Sequence, residues 1–181
     1  MAEKIRFEFS RGLSHKPSVF YLAYGSNLCR ERMETRCPNA VAVGTTKIQG
    51  FRLLFKRSCS GFYATIEQDA NCFVPAAVYK ISEYDEALLN RYEGYPKYYY
   101  KRYFQLPIRT LAGGRLRGLK QCMAYVLHEE RSLGEPSMDY FRLLDSGYET
   151  WKFDVEILDK GLSDSIGVKS AKEYIKQFEQ L

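Results

Sequence analysis

Two short segments of this sequence carry residue types suited to oxyanion binding and proton transfer. The first is Tyr24-Gly25-Ser26-Asn27-Leu28, which directly follows an apolar run. Gly25 and Asn27 accept backbone angles that most side chains disfavour, so the chain can turn sharply there. The N–H groups of such a turn converge and can bind anionic or carbonyl oxygens, although many glycine-containing turns serve geometry alone.

The second segment carries Glu93, at the C-terminal end of a predicted helix, where the helix dipole disfavours a negative charge. Tyr92 precedes it, and Gly94-Tyr95-Pro96 follows. Partial burial in this aromatic setting would disfavour the carboxylate and bring its pKa toward a range useful for proton transfer. Glu93 is therefore a candidate general acid and base, with a solvated surface glutamate as the alternative.

Nucleophilic and metal chemistry have little support in the sequence. Cys29 is predicted in the first turn of a helix, where a thiol pKa can fall, but the only histidines, His15 and His128, are far apart. Ser26 lacks the Gly-x-Ser-x-Gly pattern of a nucleophile elbow. The few histidines and the absence of a spaced carboxylate cluster predict no metal site and no cofactor.

Tyrosines and cations cluster in the segment Tyr95–Phe104. Such a segment can stack and grip a nucleic-acid strand, but tyrosines on strands are more often half-buried in a sheet. Hydroxyl groups inside a barrel also suit a small polar ligand, and Tyr100, Tyr103 and Tyr125 are the candidate pocket residues. We therefore predict a small-molecule partner and no nucleic acid.

The bulk properties predict one enzyme-sized domain. The chain has 181 residues and a net charge of +5 that never gathers into a long basic run. Five cysteines without Cys-x-x-Cys spacing argue against a disulfide framework and indicate reduced thiols in the cytoplasm. No apolar run is long enough for a signal peptide or a membrane span, so no membrane partner is expected.

Short strands and helices must position the Tyr24–Leu28 segment and the segment that carries Glu93. Val19–Tyr24 is predicted as a strand, and Cys29–Thr35 as a short helix that Pro38 terminates. Four consecutive, partly antiparallel strands are then predicted from their Val, Ile, Phe and Tyr content and the turn residues between them. They are Ala40–Lys47, Phe51–Lys56, Phe62–Glu67 and Phe73–Ile81.

A helix is predicted after these strands, because Ser82 is a suitable N-cap, Asp85 follows three residues later, and Gly94 ends the pattern. Tyr98–Thr110 and Leu116–His128 are predicted to pair as the longest ribbon of the sheet. Two later helices are predicted, one capped by Ser137 and containing Tyr140, Phe141, Leu144, Tyr148 and Trp151, and one over Val168–Gln180. The expected fold class is α+β, a small mixed and mostly antiparallel β-barrel with short helices around it.

The sequence resembles the gamma-glutamylcyclotransferase-like superfamily across about residues 20–151. The motifs that carry the resemblance are Tyr24-Gly25-Ser26-Asn27-Leu28 and Leu89-Asn90-Arg91-Tyr92-Glu93-Gly94, with Gly61-Phe62-Tyr63-Ala64-Thr65-Ile66 between them. We accordingly divide the chain into an arm (1–18), a cyclotransferase-like domain (19–153) and a C-terminal helical extension of the same domain (154–181).

The resemblance implies an enzyme that converts gamma-glutamyl amino acids or amines into 5-oxoproline. It implies that Glu93 is the general acid and base, and that the backbone of Gly25, Ser26, Asn27 and Leu28 holds the glutamyl oxygens. Tyr24 of the same segment is a further predicted substrate-binding residue, and the resemblance implies pocket roles for Tyr100, Tyr125 and Tyr140.

Several interpretations stay open at this stage. Within the same chemistry, the alternative substrate is a biosynthetic intermediate that carries a gamma-glutamyl protecting group. A non-catalytic binding module on the same fold and a tyrosine-rich nucleic-acid binder are the other hypotheses. The loops Arg57–Gly61 and Arg131–Pro136 are predicted to build part of the leaving-group side, whose ligand the sequence does not identify. A homodimer is possible.

Overall fold

Six strands form one mixed sheet in the computed structural model of the chain, which describes residues 18–168 and 170–179. The strands are β1 (Val19–Ala23), β2 (Val41–Arg57), β3 (Phe62–Ile81), β4 (Tyr99–Leu106), β5 (Arg109–Thr110) and β6 (Lys120–Leu127). Their order across the sheet is β4-β6-β1-β3-β2-β5. The pair of β1 and β6 is parallel, and the other pairs are antiparallel. This architecture confirms the predicted α+β class.

Five α-helices accompany the sheet in the described ranges. They are α1 (Arg30–Arg36), α2 (Glu83–Glu93), α3 (Met138–Trp151), α4 (Glu156–Ile166) and α5 (Ala171–Glu179). The predicted start of α2 is confirmed, because Ser82 Oγ accepts from the Asp85 N–H at 3.1 Å and Asp85 Oδ2 accepts from the Ser82 N–H at 3.0 Å. Gly94 ends this helix in the left-handed conformation, with φ of 65°. The predicted cap at Ser137 is also confirmed, since its Oγ accepts from the Tyr140 N–H at 3.3 Å.

The sheet curls so that strands far apart in its order meet. Phe51 of β2 packs edge to face against Phe104 of β4, with ring centroids 5.4 Å apart. The Arg102 guanidinium of β4 lies 4.6 Å from the centroid of the Phe51 ring. In the described part of the chain, no strand pairing joins the edge strands β4 and β5, so a closed barrel stays a prediction.

The prediction of four separate short strands before α2 was wrong, because two long strands occupy this part of the chain. The first two belong to β2 and the last two to β3, which pair along most of their length. Gly50, with φ of 75°, lies at a register shift between Gln49 and Phe51, so it bends a continuous strand where a turn was expected. The hairpin of β2 and β3 is therefore the longest ribbon, in place of the predicted Tyr98–Thr110 with Leu116–His128.

Helix α4 lies in the predicted helical extension (154–181) but was not predicted as a separate helix, and it packs against β2. The Phe55 N–H donates to Ser165 Oγ at 2.9 Å, and a Cβ at Gly161 would approach Leu53 to 3.2 Å. Helix α5 falls within the predicted final helix, and its buried Tyr174 packs against Phe141 of α3 with ring centroids 5.1 Å apart. Both helices contribute to the same hydrophobic core as the sheet.

The boundaries drawn at residues 18 and 153 stay predictions, and most of the proposed arm lies outside the described residues. No helix in the described ranges has the length and apolar character needed to cross a bilayer.

Candidate active site

A cavity of about 360 Å³ opens where the turn after β1, the end of α2, strands β4 and β6, and the start of α3 meet. This volume is within the range of small-molecule sites. Its lining in the described part of the chain includes eight tyrosines, three arginines and one carboxylate, that of Glu93. The two segments that the sequence singles out therefore meet in one cavity.

The Tyr24-Gly25-Ser26-Asn27-Leu28 segment forms a tight turn that directly follows β1. Residues Ser26–Leu28 are one turn of 3-10 helix, in which the Leu28 N–H donates to the Gly25 carbonyl at 2.9 Å and the Cys29 N–H to the Ser26 carbonyl at 3.3 Å. The first N–H groups of such a turn have no partner within it. Gly25, Ser26 and Asn27 line the cavity, so a ligand can use this part of the turn.

Leu28 lies behind the turn and outside the cavity lining. Its side chain is fully buried, and its carbonyl accepts a hydrogen bond from Trp151 Nε1 of α3 at 2.8 Å. Gly147 of the same helix packs so closely that an added Cβ would lie 2.7 Å from the Leu28 Cβ. Because the Leu28 N–H is also used within the turn, Leu28 anchors the turn, and its predicted contact with substrate has no geometric support.

Glu93 is the last residue of α2 and is half-buried at the cavity. Its Oε1 accepts a hydrogen bond from Asn27 Nδ2 at 3.2 Å. Burial raises the pKa of the Glu93 carboxyl, while the positive charge of Arg36 and the hydrogen bond from Asn27 act in the opposite direction. The balance leaves the pKa above its usual value, which suits a group that must both accept and donate a proton.

The Asn27 side chain is held by three partners. Its Nδ2 donates to Glu93 and also to Tyr21 Oη at 2.7 Å, and its Oδ1 accepts from Arg36 Nη1 at 2.7 Å. Arg36 further donates to Ser26 Oγ at 3.3 Å and lies over the Tyr92 ring, 4.8 Å from its centroid. Since Arg36 occupies the amide oxygen, the amide nitrogen is directed to the glutamate.

Three of the predicted tyrosines line the cavity, and each is held by the fold. Tyr24 Oη donates to the Tyr125 carbonyl at 2.5 Å, and Tyr125 Oη donates to Asn90 Oδ1 of α2 at 2.8 Å. Tyr140 Oη accepts from the Ala64 N–H at 3.1 Å. These contacts connect β6 to α2 and α3 to β3 around the cavity.

Tyr100, predicted to line the pocket, is not among the described lining residues. Its hydroxyl donates to the Glu129 carboxylate, and Tyr103 is 55% exposed. The neighbouring Tyr99 lines the cavity instead and is buried. Successive side chains of a strand point to opposite faces, so a shift of one residue exchanges the two positions.

Sequence reasoning missed several lining residues. Arg32 and Arg36 lie one turn apart on α1, and this i, i+4 spacing of two cations just after the turn was an available signal. Arg91 adjoins the motif that contains Glu93, so its cavity position could have been proposed with it. Tyr21 carried no signal, since apolar strands commonly contain tyrosine. Tyr63 lies in the motif Gly61–Ile66 that carries the resemblance, but no pocket role was assigned to it. Of the two predicted loops, the first contributes Ser58, Cys59 and Ser60 to the cavity, and the second contributes no described lining residue.

The cavity can thus hold a small polar molecule beside one acid–base group. A carbonyl oxygen can lie against the turn, while the Glu93 carboxyl exchanges protons with a nitrogen of the same molecule. In the described residues no cluster of three or more metal-ligating side chains occurs.

Known proteins resemble this chain in sequence and in structure. A family model described as "Gamma-glutamyl cyclotransferase, AIG2-like" matches residues 21–152. A gamma-glutamylcyclotransferase of Bos taurus is 28% identical over an alignment of 137 residues, and the match covers 72% of this chain and 70% of that protein.

Solved structures share the fold. One described as "Gamma-glutamyl cyclotransferase" has a TM-score of 0.66 at 23% identity and covers 90% of this chain and 99% of its own. An uncharacterized protein from Homo sapiens also has a TM-score of 0.66, at 24% identity, covering 89% of this chain and 98% of its own.

Proposed function

The chain belongs to the gamma-glutamyl cyclotransferase, AIG2-like family, and we propose that it converts a gamma-glutamyl amino acid or amine into 5-oxoproline and the free amino acid or amine. The observation that carries the proposal is the contact of Asn27 Nδ2 with Glu93 Oε1 at 3.2 Å, because it brings the turn and the only described lining carboxyl into one cavity. The Bos taurus relative bears the name of this activity.

The reaction needs no protein nucleophile. The substrate's own alpha-amine attacks its gamma-carbonyl carbon, a new C–N bond closes the five-membered lactam, and the original gamma-amide C–N bond breaks. Holding amine and carbonyl together supplies much of the rate, since well-oriented intramolecular attack is worth up to about 7 to 11 kcal/mol.

Glu93 has two roles in this reaction. As a carboxylate it accepts a proton from the alpha-ammonium group, which frees the nitrogen lone pair for attack. As the protonated acid it then donates to the departing nitrogen, so that the amine leaves in neutral form. The second proton of the attacking nitrogen passes through the same carboxyl to the released amine, which regenerates the carboxylate. The raised pKa of the Glu93 carboxyl favours the protonated form that donates in the second step.

The turn supplies the other requirement, which is stabilisation of the negative charge on the gamma-carbonyl oxygen. The N–H groups at the start of the 3-10 turn are fixed by the anchor of Leu28 to Trp151, so they need little reorganisation during the reaction. The proposal includes no cofactor. It places the enzyme in the reducing cytoplasm, in keeping with five unpaired cysteines.

The experiment is a Glu93→Gln substitution assayed for 5-oxoproline release from a panel of gamma-glutamyl dipeptides and amines. We expect a loss of about two to four orders of magnitude in kcat, the range attributed to general acid–base catalysis. Glu130→Gln, which removes an exposed carboxylate outside the cavity, is the matched control and should keep full activity. Turnover retained by Glu93→Gln would overturn the proposal.

Thermal unfolding separates loss of chemistry from loss of fold. Because the pKa of Glu93 is raised in the folded state, folding favours the protonated form, and ionisation at neutral pH opposes folding. The neutral side chain introduced by Glu93→Gln should therefore leave the protein at least as stable as the wild type at neutral pH.

A wild-type protein that binds these compounds without releasing 5-oxoproline would instead be a binding module.

A further inference from the structure

The charges around the cavity are unbalanced. Arg32, Arg36 and Arg91 line it, and Glu93 is the one acidic side chain among its described lining residues. Arg36 is already engaged, since it donates to Asn27 and Ser26 and lies over the Tyr92 ring. The side chains of Arg32 and Arg91 are exposed at the cavity, and their guanidinium groups have no hydrogen-bond, ion-pair or ring partner among the described residues. The cavity therefore offers two guanidinium groups to a ligand.

The glutamyl part of the substrate accounts for only one of them. At neutral pH this part is a zwitterion, whose ammonium group faces Glu93 and whose alpha-carboxylate can pair with one arginine. The second arginine then has no partner unless the substrate carries another anionic group. Guanidinium groups pair with carboxylates through directional, charge-assisted hydrogen bonds, so a second carboxylate is the matching chemistry.

We propose that one of Arg32 and Arg91 pairs with the glutamyl alpha-carboxylate and that the other is a specificity-determining residue, which pairs with a carboxylate on the leaving group, so that a gamma-glutamyl amino acid is preferred to a gamma-glutamyl amine. This inference rests on the proposed function and adds the class of leaving group. Both arginines lie on the helices that flank the catalytic elements, Arg32 one turn before Arg36 on α1 and Arg91 two residues before Glu93 on α2.

A neighbouring groove has the opposite character. It shares Ser60 and Tyr63 with the cavity and continues to Glu135, Pro136 and Met138, without a cation in its described lining. A cationic amine leaving group would favour this groove. An anionic leaving group would therefore lie toward the arginines of the cavity, and a cationic one toward this groove.

The test compares gamma-glutamyl-L-alanine with gamma-glutamyl-ethylamine, whose leaving groups differ only by a carboxylate. We expect the wild-type protein to have the higher kcat/KM for the alanine compound. One of the two variants Arg32→Gln and Arg91→Gln should lower the ratio of the two kcat/KM values by about tenfold, the size expected for one charge-assisted hydrogen bond, and the other should lower kcat/KM for both compounds alike. Arg117→Gln removes an exposed arginine outside the cavity and should leave the ratio unchanged.

Other outcomes overturn the inference. If both variants lower kcat/KM equally for the two compounds, the arginines serve only the glutamyl carboxylate. If the wild type prefers gamma-glutamyl-1,2-diaminoethane, the groove with Glu135 selects the leaving group. If no compound yields 5-oxoproline, the proposed function fails. Titration calorimetry with the first two compounds then still tests the inference, and equal affinities overturn it.

Discussion

Asn27 Nδ2 lies 3.2 Å from Glu93 Oε1, and this hydrogen bond joins residues that are 66 positions apart in the chain. The same nitrogen also donates to Tyr21, so both of its hydrogens are used. Because Arg36 donates to the Asn27 oxygen at 2.7 Å, the amide has one favourable orientation. Asn27 thus links the turn directly to the Glu93 carboxyl, which is proposed to transfer protons.

Arg36 should control the pH at which the enzyme becomes active. Its positive charge lowers the pKa of Glu93 against the larger effect of burial, which raises it. In Arg36→Gln the pKa of Glu93 rises further, so the acidic limb of the kcat/KM profile should move to higher pH, because the unprotonated carboxylate starts the reaction. Arg36→Lys keeps the charge and should move this limb less. Identical limbs in wild type and Arg36→Gln would refute the assignment.

Removal of the Asn27 amide should impair catalysis more than folding. Asn27→Ala leaves the Glu93 carboxylate without its donor and the Arg36 guanidinium without its acceptor. We expect kcat to fall by about 10- to 100-fold, the equivalent of one or two lost hydrogen bonds to a charged group. Steady-state kinetics of 5-oxoproline release provide the measurement, and Asn71→Ala, outside this cavity, provides the control. An unchanged kcat would show that Asn27 does not position Glu93.

Tyr99 and Tyr100 form a matched pair on one strand. Tyr99 lines the cavity, whereas Tyr100 bonds to Glu129 outside it. Tyr99→Phe removes a hydroxyl group that can bond to the substrate. It should reduce kcat/KM by up to about tenfold, since one neutral hydrogen bond is worth about 0.5 to 1.5 kcal/mol. Tyr100→Phe should have kcat/KM values near those of the wild type. A larger effect of Tyr100→Phe than of Tyr99→Phe would instead support Tyr100, the pocket residue expected from the sequence.

The packing of α3 against the turn should be sensitive to a single methyl group. In Gly147→Ala the added Cβ would lie 2.7 Å from the Leu28 Cβ, so either the helix or the turn must move. We expect the free energy of unfolding to fall by about 1 to 3 kcal/mol, as measured by denaturant titration. Gly114→Ala, whose Cβ would meet its nearest neighbour at an ordinary 3.5 Å, should have little effect. Equal stability of the two variants would contradict this packing.

The sequence was most informative where local chemistry alone decides the structure. Ser82, Asp85 and Gly94 act within one or two helical turns, so the ends of α2 follow from capping rules without knowledge of the rest of the fold. The turn at Gly25 and the carboxyl at Glu93 could be proposed for the same reason. Their meeting in one cavity followed only from the resemblance, because no local rule connects positions so far apart.

The features that the sequence analysis predicted wrongly or did not predict depend on tertiary context. Gly50 looks like a turn residue, but strand pairing on both sides of it makes a bulge within β2. Tyr99 and Tyr100 have the same side chain, so composition cannot tell which one faces the cavity. Gly161 obscured helix α4, since glycine weakens a helical pattern, yet here it permits close packing on Leu53. Each of these outcomes is set by a neighbour that is distant in the sequence.

The hydrogen bond from Trp151 to the Leu28 carbonyl joins residues 123 positions apart. During synthesis the turn leaves the ribosome long before α3 does, so its main support is missing while most of the domain is already made. This turn, which is proposed to bind the oxyanion, is therefore completed only when the C-terminal part of the chain folds back onto it. A nascent or truncated chain that ends before α3 carries both Asn27 and Glu93 but lacks the helix that fixes the turn, so we expect the proposed conversion to begin only after α3 has been made.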